Sequence, residues 1–485
     1  NISASPQPPK TPPSPPFSLP SDAPPQQARV QNLGRLTHER RAPKKALAAA
    51  SPRATHAMAR RSALLALAAA ASALQPSTVQ RVQYPYTSDY TPRPTAEAAR
   101  SAARDVARVG SLEVPHLALG TISWTPESEQ GFRPGDRMDG KVGTALAQNS
   151  VAHTALTLGA TFFDTAERYS VGVGETLLAD ALASGAEAAS VGSRLRAFVG
   201  GPKPRKPVVA TKFTPAPWRP GADDVVDACR ASRKRLGVDA IDLYLIHMPD
   251  VVQPGRAFGF VDDKNEKYWE GLARCKELGL AKEIGVSNYG PTLLRECAAF
   301  MEQRGLKLAA NQIHYSLLAR RAGGNQATVD AGKELGITTL AYYPLAMGLL
   351  TASGGERGGA LAHYASGGTG YIGAPWLEKN KVRVPDGGVA PLVAALQAVA
   401  AARGKTVTQV ALNWIMAQGV IPIAGATTDK YVADAAGALG WRLTADECAA
   451  LEAAADDLGF EFQGTFFKRT DSKFVGYGVE YWTLD

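Results

Sequence analysis

The 485-residue sequence predicts an α/β fold: a (β/α)8 TIM barrel, a single domain with a disordered N-terminal extension. Three observations predict it. From residue 111 onward, short β-prone apolar runs alternate with longer Ala/Leu-rich stretches. The short runs are apolar almost throughout, as parallel strands buried on both faces are. Several of the longer stretches close on Leu-Gly just before the next run, and glycine tolerates the left-handed conformation that ends a helix.

The strand candidates, in order, are 117–121, 160–164, 207–212, 241–247, 283–287, 309–314, 337–343 and 420–424. Helical patterns fill the gaps at 143–158, 174–183, 222–236, 266–279, 290–304, 326–335, 389–403, 406–417 and 429–439. Such βα units fit a barrel of about 250 residues plus insertions. The insertions fall at 123–140, 185–206 and 350–388, where Gly, Pro and charge collect. A doubly wound open sheet is the structural rival.

Net charge is +8, which by itself would suit a nucleic-acid partner. The distribution argues against one. Residues 1–110 hold 15 Lys+Arg and 5 Asp+Glu, whereas the rest holds 38 and 40. No basic stripe remains on the barrel for a nucleic-acid groove. Cys229, Cys275, Cys297 and Cys448 lie far apart, which speaks against a zinc cluster, a disulfide framework or a Cys-x-x-Cys redox pair. No metal is expected. No apolar run reaches the ~18 residues of a membrane span without a break in character.

The N-terminal hundred residues read as a separate matter. Residues 6–25 contain 10 prolines and have little to bury, so 1–57 read as a disordered leader that the mature protein need not retain. The first methionine, Met58, is a candidate start and opens a basic, then apolar, then Ala-Ser-Ala pattern of signal-peptide type. The segment from Leu74 to about Arg108 is rich in Arg, Ser, Thr and Ala and poor in acids, as transit peptides are. Residues 58–110 are therefore expected to be a signal-plus-transit presequence for a plastid, with secretion or a cytosolic location as alternatives. The barrel is expected over 111–470 and a tail over 471–485.

The working face of such a barrel is the C-terminal end of its strands. There the sequence places Phe163-Asp164, followed five residues on by Tyr169; Lys212; His247; Ser287-Asn288; Asn311-Gln312; and Tyr342-Tyr343-Pro344. Each has an ordinary structural reading alone: Asp164 a helix cap, Lys212 a solvated end, Tyr169 and His247 packing. Their recurrence at consecutive strand ends points to a site.

The strings GATFFDTAERY, VVATKF, IDLYLIH, IGVSNYG, NQIHYSLL, AYYPLAMGLLT and IPIAGAT, in this order, resemble the aldo-keto reductase superfamily over about residues 112–460. The string GALGWRLTADE is most similar to the chloroplast-associated branch of plants and algae. The resemblance implies a (β/α)8 barrel that binds NADPH without a Rossmann domain and reduces a small-molecule aldehyde or ketone. It implies a catalytic set of Tyr169 as proton donor, Lys212 and Asp164 tuning it, and His247 orienting the carbonyl. The physics is consistent: a phenol titrates near pKa ~10, and a neighbouring cation favours its ionised form.

For the cofactor, the resemblance implies Asp164, with Ser287, Asn288 and Gln312 on the nicotinamide carboxamide and Tyr342 on the ring face. Pro344, Leu345 and Gly348 fall in the loop along the pyrophosphate, and Gly120 and Thr121 lie beside the ribose. Gly425, Thr428 and Lys430 follow the last strand. Here the sequence departs from the family: Thr428 stands where a cation for the 2′-phosphate is usual, and Ala435 where an Asn is usual. Lys430 is a candidate substitute, and NADH use stays open.

Gly368-Thr-Gly370-Tyr-Ile-Gly373 spells a dinucleotide motif but neither follows a strand nor opens a helix, so it reads as part of an insertion. Gly172-Val-Gly174 reads as a helix-entry turn. Trp124, Trp218, Phe258, Phe260 and Trp376 are candidates for an apolar pocket wall or for loop packing. Pyridoxal, or aldehydes from lipid peroxidation, are candidate substrates. The alternative function is a slow-turnover, redox-sensing regulatory subunit that holds the cofactor. Oligomeric state is not legible.

Overall fold

The computed structural model describes residues 101, 104–124, 144–185, 205–250, 264–321, 324–352 and 388–459. Eight parallel strands close into a barrel: β3 (Ala118–Gly120), β4 (Phe162–Asp164), β5 (Val208–Phe213), β6 (Ile241–Ile246), β7 (Ala281–Ser287), β8 (Ala310–His314), β9 (Thr338–Tyr342) and β10 (Ile421–Gly425). Neighbours follow chain order, and β10 returns to pair with both β9 and β3. The fold is the expected (β/α)8 barrel. Each strand matches an apolar run of the sequence to within two residues at either end.

Helices pack outside, as the sequence patterning requires. Ala145–Leu158, Ala222–Leu236 and Asn325–Leu335 each stop at a glycine with φ of 82°, 65° and 68°, respectively. A side chain in that conformation would be strained. Thr406 caps the helix Val407–Ala417 by accepting from Gln409 N–H, and Gln409 reciprocates on the Thr406 N–H.

A two-stranded antiparallel hairpin, β1 (Val106–Val109) and β2 (Leu112–Pro115), precedes the barrel. Val109 and Val114 are fully buried in the same cluster as Ala118, Phe162, Ala210, Leu243, Ala310, Leu340 and Ile421. These are inward residues near the strand starts, so the hairpin plugs that end of the barrel. The hairpin begins inside the stretch that the sequence assigns to the presequence, and the folded unit therefore starts upstream of residue 106. A helix at Ala445–Asp457 also escapes the sequence patterning, although Thr444 and Glu447 form a capping box at its start.

Side chains alternate between the two faces of a strand. Phe162, Ala210, Ala310 and Leu340 belong to the interior cluster. The residues two positions later, Asp164, Lys212, Gln312 and Tyr342, therefore point inward at the far end. This period-two step carries chemistry-bearing side chains from several strands to one spot. The leader 1–57, most of the presequence, the bulk of the insertions, the Gly368–Gly373 motif, Phe258, Phe260, Trp376 and the tail 471–485 lie outside the described residues.

Candidate active site

Lys212 is the centre of the strand-end cluster. Its ammonium is fully buried and donates to Asp164 Oδ2 at 2.8 Å, the Thr165 carbonyl at 2.8 Å and the Tyr169 hydroxyl at 3.2 Å. Burial pulls the Lys212 pKa below its ordinary value, while the Asp164 charge and hydrogen bond pull it back up. Asp164 uses its other oxygen to accept from Gln312 Nε2 at 2.7 Å. One carboxylate thus fixes both a cation and an amide.

Tyr169 is reached by a short turn after β4. Residues 169–172 form one turn of 3-10 helix, and residues 174–185 are helical. Gly174 packs closely here: a Cβ on it would stand 3.0 Å from the Tyr169 Cβ and would push the tyrosine by a few tenths of an ångström. The turn makes Gly172-Val-Gly174 a helix entry packed against the back of the tyrosine.

His247 follows β6. Its backbone N–H donates to the Phe213 carbonyl at 2.7 Å, and its carbonyl accepts from Asn288 Nδ2 at 2.9 Å. Its ring meets that of Tyr169 edge-on, with centroids 5.9 Å apart. Burial, then the charges of Lys212 and Arg168, hold the imidazole pKa well below its usual value, so the ring is neutral near pH 7.

The polar residues of the next strands form one connected network. Ser287 Oγ donates to the Gln312 carbonyl at 2.9 Å, and the Tyr342 hydroxyl donates to Asn288 Oδ1 at 2.8 Å. Half-buried Tyr342 is backed by His314, stacked at 5.6 Å with 15° between the planes. Asn288 has φ 62°, which aims its side chain back across β6 and β7. Thr121 Oγ1 donates to the Asp164 carbonyl at 3.1 Å, and Gly120 pairs with Asp164 in register.

Pro344, Leu345 and Gly348 lie in the loop after β9, whose turn is a 3-10 helix at Ala346–Gly348. Gly425 ends β10 beside Gly120. Thr428 caps the helix Asp429–Ala436 by accepting from the Tyr431 N–H at 3.2 Å, and Lys430 is exposed on that helix. The structure thus brings Asp164, Tyr169, Lys212, His247, Ser287, Asn288, Gln312 and Tyr342 together. The β10 group of Gly425, Thr428 and Lys430 sits on an adjoining sector of the rim.

Trp124 is not a pocket wall. It is fully buried, its indole N–H donates to the Ala426 carbonyl at 2.7 Å, and its carbonyl accepts from Ser170 Oγ. Trp218, by contrast, is 74% exposed. Sequence reasoning missed Glu167 and Arg219, which form a bidentate pair beside the cluster with contacts of 2.5 and 3.1 Å. It also missed Glu175, a fully buried carboxylate that accepts from Thr211 Oγ1 and Arg235 Nε, each at 2.5 Å. These partners lie 36–60 residues apart, and no local pattern announces them. Among the described residues there is no His/Cys/Asp/Glu cluster able to hold a metal, and no helix long and apolar enough to cross a membrane.

Comparison with known proteins identifies the family. The model of the aldo/keto reductase family matches residues 135–456. The chain is 32% identical to a chloroplastic pyridoxal reductase of Arabidopsis thaliana over 352 residues, covering 72% of this chain and 86% of that one. It is 29% identical over 301 residues to deoxymugineic acid synthase 1-D of Triticum aestivum, covering 60% and 78%. Among solved structures, an aldo-keto reductase of Bombyx mori in complex with NADP aligns with a TM-score of 0.49 and 24% identity, over 72% of this chain and 92% of that one. The chain belongs to the aldo/keto reductase family and is an oxidoreductase.

Proposed function

We propose that the protein reduces an aldehyde or ketone to the alcohol with NADPH, and that the Tyr169–Lys212–Asp164 hydrogen-bond chain carries the proton chemistry. That chain, at 3.2 and 2.8 Å, is the observation on which the reading rests. The residues at the strand ends fit a nicotinamide: Ser287, Asn288 and Gln312 offer hydroxyl and amide groups in one network, and Tyr342 offers a braced aromatic ring. They fit an adenosine 2′-phosphate less well. Thr428 Oγ1 is engaged as a helix cap, so the cation for that phosphate falls to exposed Lys430. Family membership supports NADPH as the main cofactor, and the weak cradle for its 2′-phosphate leaves NADH as a usable second one.

When bound, NADPH supplies a hydride to the carbonyl carbon. Tyr169 gives its hydroxyl proton to the carbonyl oxygen. The Lys212 ammonium, donating to that hydroxyl, stabilises the phenolate left behind. Asp164 keeps Lys212 charged and aimed, since a buried ammonium without a partner would lose its proton. Neutral His247 hydrogen-bonds the carbonyl and orients it.

Likeness to the Arabidopsis pyridoxal reductase supports pyridoxal as the first substrate to try, with lipid-peroxidation aldehydes second. The same likeness and the composition of residues 58–110 support a plastid location. A reporter fused behind residues 58–110 that stays outside plastids overturns the placement. For the activity, the full chain is mixed with NADPH or NADH and a panel of carbonyl compounds including pyridoxal, and loss of the reduced-nicotinamide absorbance is followed. Sustained oxidation is expected with at least one of them. Tight cofactor binding without turnover on any would overturn the reading in favour of a slow regulatory subunit.

A further inference from the structure

We propose that Thr214 is a positioning residue that keeps the ring proton of His247 on Nε2, and that the Glu167–Arg219 pair holds Thr214 in place to do so. The inference rests on the reading of His247 as the group that orients the carbonyl.

Thr214 immediately follows β5 and is almost fully buried. Its backbone is clamped from both sides. Its N–H donates to Glu167 Oε1 at 2.6 Å, and its carbonyl accepts from Arg219 Nη1 at 3.1 Å. Arg219 closes the ring by a two-point ion pair with Glu167, and its guanidinium lies 4.1 Å from the centroid of the Phe213 ring. Charge-assisted, bidentate pairs of this kind fix geometry as well as adding energy. The clamp sets the Thr214 hydroxyl 3.4 Å from His247 Nδ1. His247 cannot drift away, because its backbone is tied to Phe213 and Asn288.

A neutral imidazole has one N–H and one bare nitrogen. With Nδ1 facing Thr214, Nε2 is the nitrogen left for substrate. A carbonyl oxygen needs a donor there, so Nδ1 must be the acceptor. Thr214 can meet that need, since a hydroxyl can donate. The opposite arrangement, Nδ1–H donating to Thr214, would leave a bare Nε2 facing the substrate, with no proton for its carbonyl oxygen. One bond in one direction therefore satisfies both groups and presents Nε2–H outward.

The test compares Thr214→Val, Thr214→Ser and His247→Gln with the wild type. The ring-nitrogen shifts of His247 are read by 15N NMR in the cofactor-free protein, and kcat and KM are measured separately. Expected are an Nε2–H tautomer in the wild type and in Thr214→Ser, and a mixed or Nδ1–H tautomer in Thr214→Val. With it, kcat should fall about tenfold, the scale of one lost hydrogen bond, while cofactor affinity is unchanged; serine should restore the rate. An Nδ1–H tautomer in the wild type, or an unchanged tautomer in Thr214→Val, overturns the inference. If His247→Gln abolishes turnover while Thr214→Val has no effect, only the role of Thr214 fails. If His247→Gln leaves turnover intact, the reading of His247 itself fails.

Discussion

Where the strands begin, Asp105 is gripped by Arg442 through bonds of 2.5 and 2.6 Å, and Glu283 accepts from both the N–H and the hydroxyl of Ser111. Where the strands stop, Asp164 is gripped by Lys212 at 2.8 Å. The bonds resemble each other, but their surroundings do not. Arg442 keeps a third of its side chain in solvent, whereas Lys212 has none exposed. The four non-glycine residues with positive φ among the described ones, Ser170, Asn288, Tyr343 and Ala346, all lie at the strand-stop end. Such conformations cost of the order of 1 kcal/mol or more each and persist where the surroundings over-determine them. One end of the barrel is built to hold the chain together. The other accepts strain and buried charge to hold reactive groups.

The largest effect that tests this contrast comes from Lys212→Met. It leaves the Asp164 carboxylate buried without its cation, at a cost of about 3–5 kcal/mol, and should lower kcat on the order of 10³-fold. Urea denaturation and turnover should both fall. A folded protein with near-normal kcat would erase the distinction between the two ends. Arg442→Leu should act only on stability, lowering it by about 1–3 kcal/mol as a charge-assisted hydrogen bond is lost, with kcat per folded molecule unchanged.

The pH response should separate the ends further. Burial resists ionisation of Asp105, but the neighbouring His116 and the hydrogen bonds from Arg442 and the Gly440 N–H outweigh it and hold its pKa well below the carboxylate range. The unfolded carboxyl takes up a proton first, so this stabilisation is present above ~pH 4 and is lost as pH falls below it. His314, fully buried at the strand-stop end, is depressed from 6.5 to about 3 by burial. Between those values the unfolded chain binds the proton and the folded chain does not. Stability should therefore fall by up to ~1.4 kcal/mol per pH unit from about pH 6.5 downward. Unfolding midpoints of His314→Gln should lose that share of the slope, while keeping the share that the similarly depressed His247 contributes and the one below pH 4. An unchanged slope would assign it to other groups.

The barrel was readable because each strand is a nearly unbroken apolar run, and most of the runs end on a polar residue. Asp164, Lys212 and Gln312 could be placed at one rim by strand ends alone, before any distance was known. The β1–β2 hairpin was hidden by its length: four residues a side, in an Arg- and Ala-rich context that mimics a transit peptide. Its only local signal was Gly110-Ser111 at the turn, with Gly110 at φ 60°. The Glu167–Arg219 clamp and the buried Glu175 were invisible because their partners are brought close only by barrel closure. Trp124 stayed open between two readings because an aromatic after a strand end suits a pocket wall and a loop anchor equally, and only the bond to Ala426 decides for the anchor.

The most direct test of the account is single-turnover oxidation of bound NADPH by saturating aldehyde in wild type and Tyr169→Phe, with NADPH affinity measured alongside. Removing one hydroxyl should leave the affinity within about twofold. It should slow the chemical step on the order of 10³-fold, within the usual range for loss of a general acid. A Tyr169→Phe protein that binds NADPH normally and oxidises it within about tenfold of the wild-type rate would contradict the assignment of the proton to the Tyr169–Lys212–Asp164 chain.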